Sequence, residues 1–253
     1  MKLNDIYLGD SYELIKQLEN KSVDCIYTDV PYLYKQGGFG SSDLGKRQEK
    51  KRLELMNNNL ENGIDYKIFD DFMRVMKKTN IFIWCSKLQL NDIMNYFIPK
   101  VENYELIVWC KSNPSPTTNN TWLPDLEYCL YFREKGVKLN DGYDLKSKWF
   151  TSPINKGDKD LYDHPTIKPL ELVKRHLLHT TQENDVVLDT FLGSGTTAVA
   201  CVETNRRYIG FEINPEYYRI AVDRLNGLSQ QEKRDKQNGV ISIFDLEEMN
   251  NNG

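Results

Sequence analysis

The sequence predicts an α/β fold, a single doubly wound and mostly parallel sheet of seven strands. Three observations predict it. Strand-like and helix-like segments alternate along the 253 residues, the mark of strands joined by crossover helices. Two apolar runs end in turns suited to ligands, one in Asp29-Val30-Pro31-Tyr32 and one in Asp189-Thr190-Phe191-Leu192-Gly193-Ser194-Gly195, at the strand end where open sheets bind them. The glycine turn comes late, with only one further strand and one helix before a polar tail. The rest of the sheet must come from the N-terminal half, so the order is circularly permuted, which argues against a standard nicotinamide dehydrogenase.

In order, strands are expected at 4–8, 23–28, 80–85, 105–110, 126–132, 185–190 and 207–213, and helices at 11–19, 66–78, 88–98, 169–181, 196–205 and 215–226. Apolar runs of this length bounded by turn residues read as buried strands. Pro169 and Pro215 suit a first helical turn, and Asn214 is a good cap before the latter. These elements form one domain over 1–226, followed by a polar tail, 227–253, that opens with a charged linker at 228–239. Two long segments interrupt the alternation, 35–63 and 134–163, and insertions of this length in compact domains are lids or binding loops, or are disordered.

Composition narrows the class. Hydrophobic residues make up 40% and charged residues 28% of the chain, with a net charge of −4, which describes a soluble globular protein. No apolar run approaches the roughly 18 residues of a membrane span, and the first residues lack an apolar leader, so no membrane partner and a cytoplasmic location are expected. Five cysteines without a C-x-x-C pair read as buried reduced thiols. His176 and His179 lie three apart on a helix with no third ligand in view, so no metal is expected. The chain is not basic overall, but Lys46, Arg47, Lys50, Lys51 and Arg52 form a dense local run, a solvated face or a phosphate contact.

The two turns suggest a chemistry. An amine on a nucleobase is a poor nucleophile because its lone pair is delocalised into the ring. The Asp29 carboxylate and the Val30 carbonyl can hold its hydrogens while Tyr32 stacks on the ring. Alone, the tetrapeptide reads better as an ordinary strand-to-turn exit. The second turn has the G-x-G-x-x-A spacing of a nucleotide-binding corner, with Glu212 ending the next strand, where it can accept both hydroxyls of a ribose.

Together, D-V-P-Y at 29–32, H-P-T-I-K-P at 164–169, D-T-F-L-G-S-G-T-T at 189–197 and G-F-E-I-N at 210–214 resemble the amino-methylating DNA methyltransferases of the permuted beta class. Trp109-Cys110-Lys111-Ser112-Asn113-Pro114-Ser115-Pro116 resembles a further stretch of that class. The resemblance implies a Rossmann-like methyltransferase fold, S-adenosylmethionine as cofactor, and restriction–modification as the setting. It implies transfer to the N6 amine of a flipped adenine. Aspartate at the first motif position fits adenine, since cytosine-N4 enzymes of the family more often carry serine. By position, the catalytic residues are Asp29, Val30, Pro31 and Tyr32. The cofactor residues are Asp10, Thr166, Lys168 (toward the methionine carboxylate), Asp189, Phe191, Gly193, Ser194, Gly195, Thr196, Thr197 and Glu212. Residues 134–163 occupy the place of the target-recognition region, and 35–63 that of a lid or DNA contact. Lys146 and Lys148 join the basic run as DNA-contact candidates. A recognition region this short leaves room for a single-stranded as well as a double-stranded substrate, or for a homodimer that completes the surface. Val30 and Thr190 stand where the family's motifs carry proline. Val30 would act through its carbonyl, with Pro31 holding it extended. The alternatives are a cytosine-N4 enzyme, an RNA or protein-glutamine methyltransferase, a nicotinamide-dependent oxidoreductase, and a catalytically dead relative.

Overall fold

β2 (Cys25–Asp29) and β3 (Asn80–Cys85) are buried along almost their whole length, as strands covered by helices on both faces must be. They form the centre of an eight-stranded sheet in a computed structural model that describes residues 1–33, 63–116, 122–154 and 167–237. With β1 (Asp5–Leu8), β4 (Asn103–Lys111), β5 (Leu126–Arg133), β6 (Trp149–Ser152), β7 (Val186–Asp189) and β8 (Arg207–Glu212), the order is β1-β8-β7-β2-β3-β5-β4-β6. Every neighbouring pair is parallel except the two that involve β5.

Helices cover both faces. On one, α2 (Ile68–Val75) and α3 (Leu90–Phe97) pack on Ile26, Ile81, Ile83, Leu130 and Phe132. In α2 the buried residues are Ile68, Phe69, Phe72 and Val75, the spacing of one helical face. Phe69 and Phe72 are fully buried, each stabilising the fold by about 2–3 kcal/mol relative to exposure. On the other face, α4 (Leu170–Thr180), α5 (Thr196–Glu203) and α6 (Pro215–Gln237) bring Leu172, Val173, Leu177, Ala198, Ala200 and Ala221 against Cys25, Tyr27, Phe82, Trp84 and Val187. The short α1 (Ser11–Leu14) follows β1 and is capped by Asp10, whose Oδ1 accepts from the Tyr12 N–H at 2.9 Å.

The permutation is plain in the order. The late strands β7 and β8 are inserted between the early strands β1 and β2, so the exits of β2 and β7 lie side by side. The expectation of seven strands falls one short of the eight found. β6, inside the segment assigned to target recognition, adds a parallel edge strand with Val108 opposite Trp149 and Lys111 opposite Ser152; its four half-exposed residues give too short a run to read. The 66–78 helix stops at Val75, because Met76 turns extended and bridges Val23. α6 runs to Gln237 through most of the expected linker, where charged residues form helix as readily as coil. The five cysteines are free and all but Cys110 are buried. No helix among the described residues is long and apolar enough to cross a membrane.

Candidate active site

The exits of β1, β2, β7 and β8 enclose one cleft. Asp10, Asp29, Lys168, Asp189, Phe191, Gly193, Ser194, Thr196, Thr197 and Glu212 all line it, with Tyr12, Pro31 and Ile213. Most of the residues expected at a cofactor site are thus brought together from opposite ends of the chain, Asp10 and Glu212 among them. Thr166, His164 and the basic run Lys46, Arg47, Lys50, Lys51 and Arg52 lie outside the described residues.

On the glycine-turn side, the polar side chains hold the turn in shape. Asp189 is buried; its Oδ1 accepts from the Phe191 N–H at 3.1 Å and its Oδ2 from the Thr197 hydroxyl at 2.6 Å. Burial pushes its carboxyl up to about 7 despite those bonds. Glu212 Oε2 accepts from the Gly193 N–H at 2.7 Å and Oε1 from the Asn214 N–H at 2.8 Å. Each oxygen keeps a lone pair for a ligand hydroxyl. Burial raises the Glu212 carboxyl, and the backbone N–H groups oppose that rise. Gly195 has φ +83°, and a Cβ there would lie 2.9 Å from Ala221 Cβ, so only glycine lets the turn lie on α6. Arg224 of α6, which the sequence did not single out, donates to the Ser194 carbonyl at 2.7 Å, and to the Ser194 and Thr196 hydroxyls at 3.0 Å each. Ser194 and Thr196 therefore serve the turn with their side chains. Phe191 meets Tyr12 edge-on at 6.4 Å and, with Ile213, gives the cleft an apolar flank. A glycine turn, an apolar flank and a buried acid in one cleft fit the adenosine half of S-adenosylmethionine.

The tetrapeptide adjoins this cleft. Val30 is buried in the core and its N–H donates to the Trp84 carbonyl at 3.1 Å, extending the β2–β3 pairing by one bond that a proline could not make. Gln89 is fully buried and organises the loop: its amide donates to the Pro31 carbonyl at 3.0 Å, while its Oε1 accepts from the Ser86 and Leu33 N–H groups. Thr190 is explained too. Its hydroxyl pairs with that of Thr28 at 3.2 Å, and its carbonyl accepts from the Ser11 hydroxyl, so it ties β7 to β2 and α1.

Lys168 lines the cleft and is held there by groups of the chain itself. Its ammonium lies 2.5 Å from Asp29 Oδ2, 2.8 Å from Glu127 Oε2 and 3.2 Å from the Tyr32 hydroxyl. Its three N–H groups thus meet three acceptors within the chain. Burial opposes its charge, but Asp29 and Glu127 outweigh burial and hold the lysine well above its ordinary range. Glu127, on β5, also binds Lys111 of β4 at 2.7 Å. Burial would raise its carboxyl, but Lys168 and Lys111 bring it down to about 2. Asp29 stays raised, burial outweighing Lys168. Its side chain keeps 30% of its surface, and its Oδ1 has no hydrogen-bond partner. Sequence reading missed Glu127; the available signal was a lone acid at the head of an apolar strand. Lys111 lay in a noted motif without a role.

Lys146 and Lys148 lie away from this cleft, lining a second one with Glu102, Arg133 and His179 toward the opposite end of the sheet. They pair with Asp141 and Glu105 at 2.9 Å each. His176 is buried, stacks on Phe82 at 5.0 Å and meets the Tyr27 hydroxyl at 3.2 Å through Nδ1. Burial lowers its imidazole to about 3, so it is neutral core. His179 meets the Asn140 carbonyl at 2.8 Å. Among the described residues no three metal-ligating side chains cluster.

Comparison with known proteins agrees with the geometry. A family model described as DNA methylase, of the N6/N4 type, matches residues 23–223. Type II methyltransferase M2.LlaDCHI of Lactococcus lactis subsp. cremoris is 30% identical over 241 residues, covering 86% of this chain and 87% of its own. Type II methyltransferase M2.DpnII of Streptococcus pneumoniae is 29% identical over 243 residues, with coverage of 86% and 87%. Among solved structures, the M1.HpyAVI–SAM complex superposes with a TM-score of 0.58 at 27% identity, covering 87% of this chain and 98% of that one. PvuII DNA methyltransferase (cytosine-N4-specific) gives 0.63 at 16% identity, with coverage of 88% and 86%, a likeness of fold.

Proposed function

The chain belongs to the N6/N4 DNA methylase family, and from that premise we propose that Asp29, Val30, Pro31 and Tyr32 activate the N6 amine of an adenine flipped out of DNA. The observation that carries the reading is the junction of the two turns. Asp29 and Asp189 line the same cleft, and the Thr28–Thr190 contact ties their strands together. When bound, S-adenosylmethionine supplies an electrophilic methyl group. Glu212 would hold its ribose, Phe191 and Ile213 would flank its adenine, and Asp10 would approach the same ring.

The chain's own groups do the rest. The Asp29 carboxylate and the Val30 carbonyl accept the two amine hydrogens and draw the nitrogen lone pair out of the ring. Tyr32 stacks on the base, its hydroxyl held by Lys168 and Glu127. The amine gains a methyl group and sheds one proton, and Asp29 is the anionic acceptor beside it. Asp29 must be ionised for this, so activity falls as pH drops through its raised range. Adenine is favoured over cytosine by the aspartate itself, on the family resemblance. One domain over 1–226 carries the reaction. Residues 35–63 and 134–163 share recognition, and the apolar side chains Leu106, Leu126 and Trp149, exposed on the outer strands, support a second copy completing that surface.

Incubation with radiolabelled S-adenosylmethionine and single- or double-stranded DNA of varied sequence, followed by digestion to nucleosides, tests this. Label in N6-methyladenine that disappears in Asp29→Ala, with cofactor binding kept, is expected. Label in N4-methylcytosine would move the target to cytosine. Absence of label in DNA, or undiminished label in the variant, would overturn the reading.

A further inference from the structure

We propose that Glu127 is a positioning residue for the methyl transfer: anchored by Lys111, it sets how firmly Lys168 grips Asp29, and so how strong an acceptor Asp29 is. The proposal deepens the reading above and rests on it.

The argument begins with Lys168. Its ammonium has three hydrogens, and they meet Asp29, Glu127 and Tyr32. A lysine facing Asp29 alone would turn its other hydrogens on the same carboxylate, or on whatever entered the cleft. Glu127 prevents that by taking one bond and by accepting from the Tyr32 hydroxyl at 3.3 Å. One carboxylate thereby meets both Tyr32 and Lys168. Lys111, 2.7 Å from the other oxygen, holds Glu127 from behind. The four charges alternate, Lys111, Glu127, Lys168, Asp29, and sum to zero. Lys111, Glu127 and Lys168 each keep under a fifth of their side-chain surface, so solvent screens them poorly. β4 and β5 present Lys111 and Glu127 at adjoining positions, since Trp109 stands opposite Glu127. The chain is therefore built into the sheet.

The Tyr32 hydroxyl also hydrogen-bonds Asp29 and pulls its carboxyl down; beyond it, the titratable groups around Asp29 are Cys85 on β3, Asp189 on β7, Tyr27 on β2 and Cys129 on β5. Burial raises all four, so the cysteines and the tyrosine stay neutral across the working range and only Asp189 adds a changing charge. Glu127 pushes the Asp29 carboxyl up, while Lys168 pulls it down. Removing either partner should therefore move Asp29 in opposite directions.

The test is a titration of the free protein, carrying 13Cγ-aspartate, with the Asp29 resonance assigned by Asp29→Asn. In Glu127→Gln the Asp29 midpoint should fall by about one pH unit, and in Lys168→Met it should rise by at least as much. The acid limb of kcat, measured on the DNA that the wild type labels, should follow both shifts. In Glu127→Gln, kcat should also fall about tenfold or more while the dissociation constant for S-adenosylmethionine stays within about twofold. Glu127→Asp, which keeps the charge, should leave the limb in place. An Asp29 midpoint that stays put, or moves the same way in both variants, would overturn the proposal. Should Glu127→Gln not fold, Lys111→Met decides. Glu127 then draws Lys168 toward itself and the Asp29 midpoint must rise; no rise overturns the proposal. If the wild type labels no DNA, the proposed function fails, while the titration still decides whether Glu127 governs Asp29.

Discussion

Val30→Pro places at position 30 the residue usual in the family's motif, and its outcome follows from one bond. The Val30 N–H donates to the Trp84 carbonyl at 3.1 Å, and both residues are buried. Proline has no N–H, so that carbonyl would be stranded away from water at a cost of about 1–3 kcal/mol. Proline also restricts the unfolded chain, which returns about 0.4–1 kcal/mol. At mid-range values the net effect is a destabilisation of about 1.3 kcal/mol, or about 3 to 5 °C in Tm for a chain of this size. The carbonyl assigned to the amine remains, so kcat should stay within about threefold. Thermal unfolding followed by circular dichroism, beside methyl transfer at saturating cofactor and DNA, measures both. An unchanged or higher Tm would show that the β2–β3 extension contributes nothing. A kcat lowered more than about tenfold in a folded variant would show that position 30 acts by more than its carbonyl.

Three further outcomes are expected. Gly195→Ala forces a Cβ to 2.9 Å from Ala221 at φ +83°; it should lose about 2 kcal/mol or more in urea unfolding and weaken cofactor binding by calorimetry. Asp189 is raised in the folded state to about 7. It therefore contributes stability that is present below the ordinary carboxylate range and lost as pH rises through 7; the Tm of Asp189→Asn relative to the wild type should improve between pH 5 and pH 8. His176 is lowered to about 3 from 6.5, so stability present above 6.5 is lost as pH falls toward 3. His176→Phe removes the ring nitrogen that pairs with the Tyr27 hydroxyl yet should flatten that acid dependence, seen as urea midpoints that converge with the wild type on acidification.

The sequence by itself determined the α/β class, the permuted order and the two turns that meet in the cleft. Those features are local: apolar runs of strand length, a glycine pair before a helix, an acid ending the next strand. Asp189, Phe191, Gly193, Glu212 and Asp29 were legible because each sits at a fixed offset from such a run. β6 escaped because four half-exposed residues carry no periodicity, and the end of α2 because Met76 is recruited by a bridge to Val23. Only the tertiary structure decided the roles of Lys168, Glu127, Lys111 and Arg224. Their partners lie 139 positions away for Lys168 and Asp29, and 30 for Arg224 and Ser194. Charge pairing depends on distance in space, and no spacing rule along the chain encodes it. The motif named Asp29, and strand order then set beside it Lys168 and Glu127.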